Sequence, residues 1–268
     1  MALTLSEADF RKLTQFLQKN YGLDLTRKRQ LITSRLSSAL ETRGYQDFGS
    51  FIDHLIKSRD ADDMEMVLNK LTTNYTFFER EKEHFDFFVR VILPDLVQRH
   101  RRDKVLSIWS AGCSSGEEPY NISMYIMDFL GREAAAWDTR VLATDISHRA
   151  LAAAKQGVYE LPDSIPASWK SQYFVPDKES GKYAVAPRIR NNVIFQAFNL
   201  MDPIRFKLRF DVIFCRNVMI YFDQPTKDAL VGRFYDATVP GGYLLIGHSE
   251  NISPGSKYRR LAPSTFQK

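Results

Sequence analysis

The stretch of this sequence best suited to bind a ligand is a loop of small residues between an apolar strand and an acidic helix, within residues 104–120. Gly112 and Gly116 let a ligand approach the backbone, because glycine has no Cβ and readily adopts positive φ. A phosphate is disfavoured, since no Lys-Ser or Lys-Thr pair follows the second glycine and Glu117 and Glu118 would repel it. A cationic, hydroxyl-rich ligand such as S-adenosylmethionine (SAM) fits better. The alternative is an ordinary strand-to-helix turn whose acids suit the helix dipole.

Polar residues also follow the other strands that the sequence predicts. Asp145 ends the second strand, where one carboxylate can accept hydrogen bonds from both ribose hydroxyls of a nucleoside. Asn199-Leu200 and Arg216-Asn217 follow two later strands. Ligands of parallel sheets bind beyond the carboxyl ends of the strands, so these residues are expected to converge on the glycine loop. An apolar side chain beside an Asn amide suits adenine, and Glu117 can balance the methionine ammonium.

The elements that must position these residues alternate from residue 104 onward, which predicts a mostly parallel sheet with helices on both faces. The predicted strands cover residues 105–109, 140–144, 193–197, 210–214 and 243–246. Residues 157–192 break the rhythm with four prolines and predict an insertion with a short hairpin around Ser180-Gly181. Pro240-Gly241-Gly242 predicts a turn into a last hairpin at residues 243–246.

The first 72 residues predict a small helical bundle, because apolar side chains recur at helical spacing. The expected helices span about residues 3–20, 26–42, 47–58 and 61–72. The second helix carries a basic cluster that is either a solvated face or a docking surface: Arg27, Lys28, Arg29 and Arg35. Residues 73–90 form a polar and aromatic linker that is expected to lie across another part of the protein, and residues 91–268 form the second domain.

Composition limits the class of protein without choosing its partner. The chain has 268 residues, a formal net charge of +5 and a pI near 9.1, which suit nucleic acid, an anionic membrane or an acidic protein. No apolar run approaches the roughly 18 residues of a membrane helix, and no signal peptide is apparent. Cys113 and Cys215 make no disulfide framework and have no metal-ligand spacing. We expect a cytoplasmic protein without a bound metal, and a monomer.

Five segments of the sequence resemble the CheR family, the glutamate methyltransferases that act on chemoreceptors in bacterial chemotaxis. They are residues 74–80, 116–120, 143–146, 214–222 and 247–250. They occur in order over nearly the whole chain, and residues 215–222 are the most specific. The resemblance implies an α/β, Rossmann-like SAM-dependent methyltransferase domain with a small antiparallel β-subdomain, preceded by an all-α domain. It also implies methyl esterification of receptor glutamates, with S-adenosylhomocysteine (SAH) as the product.

The resemblance also implies roles for individual residues. The cofactor site would be lined by Asn74, Thr76, Arg80, Glu117, Asp145, Asn199, Leu200, Arg216 and Asn217. Arg80, Arg216 and Tyr221 would also face the substrate carboxylate. The family motif has two phenylalanines immediately before its arginine, whereas Glu79 takes the second place here.

Little chemistry is required of the enzyme for this reaction. A glutamate with a pKa near about 4.3 is already ionised at neutral pH, so no general base is needed. Catalysis is expected to come from aligning the carboxylate and removing it from water. An arginine fork and a tyrosine hydroxyl would orient it.

The inserted β-subdomain lies where some family members bind a peptide at the receptor tail through a glycine-rich loop. Residues 175–181 lack paired glycines, so we expect a member that needs no such tether and docks on acidic receptor helices through its basic helix. The remaining alternatives are a methyltransferase of nucleic acid or another acid, and a SAM-binding regulatory module without catalysis. Arg80, Arg216 and Tyr221 argue against the module. No aromatic-lined basic groove is apparent for nucleic acid. His248-Ser249 lacks the Gly-x-Ser-x-Gly elbow of a hydrolase.

Overall fold

The computed structural model describes residues 3–73 and 75–268 and divides into two compact units. The described residues of the first unit are 3–73 and 221–227, and those of the second are 75–220 and 228–268. Among the helices of the described residues, none combines the length and the apolar character needed to cross a membrane.

In the first unit the structure describes the helices α1 (Glu7–Tyr21), α2 (Arg29–Thr42), α3 (Phe48–Ser58) and α4 (Ala61–Leu71). Side chains that accept the free amides of the first turn begin three of them, as Ser6 does for α1. Helix α2 begins three residues later than predicted, because the Asp24 carboxylate accepts the amide and hydroxyl of Thr26 and holds a turn there. The apolar faces are fully buried, at residues that include Leu13, Leu17, Ile32, Leu36, Phe51 and Leu55.

The second unit is built on a seven-stranded sheet with strand order β6-β2-β1-β7-β8-β10-β9. Its strands are β1 (Ile108–Ala111), β2 (Val141–Asp145), β6 (Val193–Ala197), β7 (Phe210–Cys215), β8 (Thr238–Ile246), β9 (Arg259–Ala262) and β10 (Thr265–Gln267). The strands from β6 to β8 are parallel, and β10 and β9 add an antiparallel edge. Every residue of β1 and β7 is buried, as expected for central strands covered on both faces.

The helices that accompany this sheet end and bend at recognisable residues. They are α5 (Lys82–Phe87), α6 (Leu93–Arg99), α7 (Glu117–Leu130), α8 (His148–Gln156), α9 (Ala167–Tyr173), α10 (Pro187–Arg190) and α11 (Gln224–Ala237). The sequence predicts one helix over residues 81–100, but a π-helical turn, Phe88–Ile92, separates α5 from α6. Pro94 explains the interruption, because it has no N–H to donate to the carbonyl four residues earlier.

Two features at the C-terminal edge differ from the prediction. Residues 240–242 do not form a turn but a bulge inside β8, because Phe210 pairs with Thr238 while Val212 already pairs with Tyr243. Gly241, with φ 74°, accommodates the bulge. The β9–β10 hairpin was not predicted, since β9 is mostly exposed and lacks an apolar run.

The insertion contains the small antiparallel sheet that the sequence predicts. Its strands are β3 (Val158–Tyr159), β4 (Phe174–Pro176) and β5 (Tyr183–Val185), in the order β3-β5-β4. The turn between β4 and β5 passes through Gly181, with φ 70°. The predicted fold class, an all-α region followed by a Rossmann-like domain with a small antiparallel sheet, is confirmed.

Candidate active site

The glycine loop lies at the point where the strand order reverses, because β2 and β6 lie on one side of β1 and β7 lies on the other. Gly112 has φ 86°, and a Cβ there would lie 2.4 Å from Cγ2 of Val218. Its amide donates to the carbonyl of Thr144 at 2.7 Å, which fixes the loop to the end of β2. The loop therefore needs glycine at this position both for its backbone conformation and for space.

Asp145, at the end of β2, is held by backbone amides of the two loops beside it. Oδ2 accepts the amide of Ser114 at 2.8 Å, and Oδ1 accepts the amide of Ser147 at 2.9 Å. Burial raises the pKa of this carboxyl despite these bonds. A carboxylate oxygen can accept two hydrogen bonds, so each oxygen can also accept one ribose hydroxyl.

Glu117 begins α7 and is buried, with 8% of its surface exposed. One carboxylate oxygen accepts the hydroxyl of Ser115 at 2.8 Å. Burial raises the pKa of Glu117. A cationic ligand would favour the ionised form, so this side chain suits the ammonium of a methionine group.

The guanidinium of Arg216, just after β7, is buried among groups from the linker and from α7. Nη1 donates to Glu118 at 2.9 Å, and Nε donates to Nδ1 of His84 at 3.0 Å. Nη2 donates to the carbonyl of Arg80 and lies 3.3 Å from Glu81. In this structure the guanidinium holds the linker against α7, with two carboxylates beside one buried cation. Direct contact of Arg216 with a substrate carboxylate stays a prediction.

Glu79, the residue that departs from the family motif, has hydrogen-bond partners for its amide and its carboxylate. Its amide donates to Oδ1 of Asn121 at 2.8 Å, and its carboxylate accepts Nδ2 of Asn121 at 3.0 Å and the hydroxyl of Tyr125 at 2.7 Å. Burial raises the pKa of Glu79. Glu79 is held by hydrogen bonds to α7, and the linker is anchored on both sides of Arg80.

Arg80 itself is half-buried, and its Nη1 donates to the carbonyl of Tyr75 at 2.6 Å. Its neighbours Glu79 and Glu81 both have positive φ, at 64° and 52°. Such a conformation costs energy outside glycine and persists only when surrounding contacts enforce it. The contacts to Asn121 and Arg216 do so here.

Asn217 follows Arg216 with φ 59° and is fixed by two carboxylates. Its amide donates to Glu250 at 2.9 Å, and its Nδ2 donates to Glu81 at 3.1 Å. Glu250 is buried and also accepts the amide of Gly247 at 2.6 Å. A Cβ on Gly247 would lie 2.6 Å from Nδ2 of Asn217, so glycine is needed where β8 ends.

The other predicted site residues have fewer contacts with the residues described above. Leu200 is buried, and Oδ1 of Asn199 accepts the amide of Met201 at 3.0 Å. Thr76 is half-buried on the linker, and Asn74 lies outside the described residues. Tyr221 belongs to the first unit, where its hydroxyl contacts the amide and the carbonyl of Thr73, each at 3.1 Å.

Two of the four basic residues predicted to dock a partner have structural contacts within the first unit. Arg29 contacts Glu7 at 2.6 Å, and Arg35 donates to the carbonyl of Lys70 at 3.1 Å. Arg27 and Lys28 are exposed just before α2. Arg27 and Lys28 therefore suit docking better than Arg29 and Arg35.

The sequence analysis assigned no role in the site to Glu81, His84, Glu118, His248 and Glu250, which the structure places there. Burial opposes ionisation of Glu81, but the hydrogen bond from Asn217 and the charge of Arg216 hold its pKa well below the ordinary range. Glu81 directly follows Arg80, and Glu250 stands just beyond a strand end. A charged residue at such positions is the signal that could have identified them.

Glu81, His84 and His248 bring potential metal ligands within 4.8 Å of one another. Arg216 already supplies the positive charge there, since its Nε donates to Nδ1 of His84. That bond uses the Nδ1 lone pair and places the ring proton on Nε2. Burial lowers the pKa of His84, which keeps the ring neutral. Glu81 and His84 are explained as partners of the guanidinium, while His248 packs its ring against His84 with centroids 4.5 Å apart and donates its amide to Glu81.

The glycine cradle, the Asp145 carboxylate and the acidic lining fit the charge and hydroxyls of SAM, and with this sheet they define a SAM-dependent methyltransferase. Residues 74–266 match the profile described as CheR methyltransferase, SAM binding domain, and residues 8–72 match its all-alpha domain. The chain belongs to the CheR family of chemotaxis protein methyltransferases.

Curated relatives resemble the chain along most of its length. A chemotaxis protein methyltransferase of Borreliella burgdorferi is 36% identical, over 99% of this chain and 96% of the relative. One of Escherichia coli strain K12 is 37% identical, over 94% and 87%. Chemotaxis protein methyltransferase 1 of Pseudomonas aeruginosa is 36% identical, over 94% and 93%.

Proposed function

We propose that this protein transfers the methyl group of SAM to the side-chain carboxylates of glutamates on methyl-accepting chemotaxis receptors, giving methyl esters and SAH. The observation that carries the proposal is the half-buried guanidinium of Arg80. The backbone carbonyl of Arg80 accepts a hydrogen bond from Arg216, and Nη1 of Arg80 donates to the carbonyl of Tyr75. The acid-lined site beside it suits a cation. A fixed, partly exposed guanidinium suits an incoming carboxylate, because it can donate two parallel hydrogen bonds.

The residues divide into two roles under this proposal. Arg80, Arg216 and Tyr221 orient the substrate carboxylate. Glu117 balances the methionine ammonium and Asp145 binds the ribose hydroxyls. The remaining cofactor-lining residues are Asn74, Thr76, Asn199, Leu200 and Asn217. SAM supplies a methyl group on a sulfonium, and the ionised glutamate needs no general base. The protein aligns the two groups and excludes water.

The proposed partner is the acidic helical region of a receptor, bound by the basic start of α2. Arg27 and Lys28 are exposed and suit this role. The turn of residues 177–182 closes through the Asp177 carbonyl and the Gly181 amide, without a pair of glycines. We therefore propose that the enzyme needs no receptor-tail peptide. We also propose that it is cytoplasmic and monomeric.

Incubation with tritiated SAM and receptor-containing membranes tests the reaction. We expect label on the receptor that mild base releases as methanol, because carboxyl esters hydrolyse readily. The Asp145→Asn variant should give much less label. Base-stable label would indicate N- or C-methylation and contradict the proposal. Bound SAH without any label would favour a regulatory module.

A further inference from the structure

The carbonyl of Ser115 lies one residue before the first carbonyl that α7 uses. Gly116 is the N-cap of α7, and its carbonyl accepts the amide of Tyr120 at 3.2 Å. Ser115 therefore lies outside the helix, where no helical amide donates to its carbonyl. A buried carbonyl needs a donor, which must come here from another part of the fold or from water.

The side chain of Tyr159 supplies the missing donor. Tyr159 lies on β3 of the small antiparallel sheet, and its hydroxyl donates to the carbonyl of Ser115 at 2.5 Å. The residue is buried, with 8% of its surface exposed. Gly116 leaves room for this approach, since a Cβ there would lie 3.1 Å from the hydroxyl and 2.8 Å from Cβ of Ala154. The Tyr159 hydroxyl therefore holds the backbone of the glycine loop just before α7.

Aromatic neighbours fix the ring of Tyr159 from two other segments. Phe78, on the linker, packs edge-on against it with ring centroids 5.1 Å apart, and also against Phe174 of β4 at 5.3 Å. Tyr120, on α7, packs against it at 6.2 Å and donates to the carbonyl of Ala154 at 2.7 Å. The small sheet thus contacts both the linker and the glycine loop.

The bond to Ser115 also bears on the acidic lining of the site. The hydroxyl of Ser115 donates to the carboxylate of Glu117 at 2.8 Å, so a shift of the Ser115 backbone would move that carboxylate. We infer that Tyr159 is a positioning residue for cofactor binding, and that the inserted sheet is part of the apparatus that shapes the SAM-binding loop. The inference rests on the proposed placement of SAM at residues 112–117.

The Tyr159→Phe variant tests this inference by removing one oxygen atom. Calorimetric titration with SAH should show a Kd raised about five-fold, the ratio that corresponds to the ~1 kcal/mol of one hydrogen bond. The KM for SAM should rise in parallel while kcat changes little. The matched control is Tyr173→Phe, since this buried tyrosine of the same insertion donates instead to Asp128. Its Kd for SAH should equal that of the wild type.

Two results would overturn the inference. One is wild-type affinity for SAH in Tyr159→Phe, and the other is an equal loss of affinity in Tyr159→Phe and Tyr173→Phe. If the Asp145→Asn variant binds SAH with wild-type affinity, this result would instead contradict the proposed cofactor site itself.

Discussion

At the scale of single residues, the buried cation at Arg216 explains why its neighbours are polar. It contacts Glu118 on α7 and both Glu81 and His84 on the linker, all of them distant from Arg216 in sequence. Removing one member of such a group leaves uncompensated charge in a poorly hydrated place, which costs far more than losing a surface ion pair. The sequence marks Arg216 by its place after a strand, but its partners are set by tertiary packing.

The Arg216→Ala variant should therefore lose about 3–5 kcal/mol of unfolding free energy in the second unit, because two carboxylates lose their cation. Urea unfolding followed by tryptophan fluorescence measures this, since Trp109, Trp137 and Trp169 all lie in that unit. The control is Arg140→Ala, which breaks an exposed pair with Asp138 and should cost far less, because water and salt weaken exposed ion pairs. Equal losses in the two variants would contradict the structural role of Arg216.

His100 gives a pH-dependent prediction far along the chain from the proposed site. Burial opposes its charge, but hydrogen bonds to Asp103 and Asp211 outweigh burial and raise its pKa above 6.5. A raised folded-state pKa contributes stability that is complete below the unfolded value and disappears as pH rises through the folded value. The urea midpoint should thus fall above about pH 6.5.

The His100→Gln variant controls for other titrating groups. Its urea midpoint should lack the His100 contribution, so the difference from the wild type should shrink as pH rises through this window. A difference that is constant from pH 6 to pH 9 would show that the histidine is not charged in the folded protein.

At the scale of elements, the glycine loop combines strand, turn and helix in a way that tolerates few changes. Gly112→Ala should lower the affinity for SAH at least about ten-fold, because a Cβ would meet Val218 and an L-residue at φ 86° is strained. The control is Gly131→Ala, at the end of α7, which also has positive φ but open space around it. It should lose some stability and keep its affinity. Calorimetric titration and thermal unfolding distinguish the two.

Much of this element structure could be predicted, because apolar periodicity and strand-end polarity are local signals. Asp145 and Asn217 were placed from their positions after apolar runs alone. The π-helical turn has a local signal in Pro94, which the prediction of one helix over residues 81–100 did not use. The bulge at Gly241 could not be predicted, since it depends on how β8 pairs with β7. The same holds for Glu79, whose partners Asn121 and Tyr125 lie on another element.

At the scale of the whole molecule, a net charge of +5 raises the question of which basic residues bind a partner. Arg29 and Arg35 already stabilise the first unit, so substituting them would confound docking with folding. Arg27 and Lys28 have exposed side chains and form the cleaner test. Surface charges of this kind act mainly on association rates and are screened by salt.

The double variant Arg27→Ala, Lys28→Ala should raise the KM for receptor membranes and flatten its dependence on salt, with kcat and SAH affinity unchanged. The control removes the same charge from exposed residues of the second unit, as Arg101→Ala, Arg102→Ala. Steady-state methylation at several salt concentrations compares them. Equal effects in both pairs would show that total charge matters and that α2 is not a specific docking surface.

The central claim is that SAM binds where the glycine loop, Asp145 and the Arg216-anchored linker meet. A crystal structure of the protein grown with SAH tests it most directly. We predict that both ribose hydroxyls lie within hydrogen-bond distance of the Asp145 carboxylate and that Glu117 faces the amino group. SAH bound at another place, or an Asp145 carboxylate without contact to the ribose, would contradict the claim.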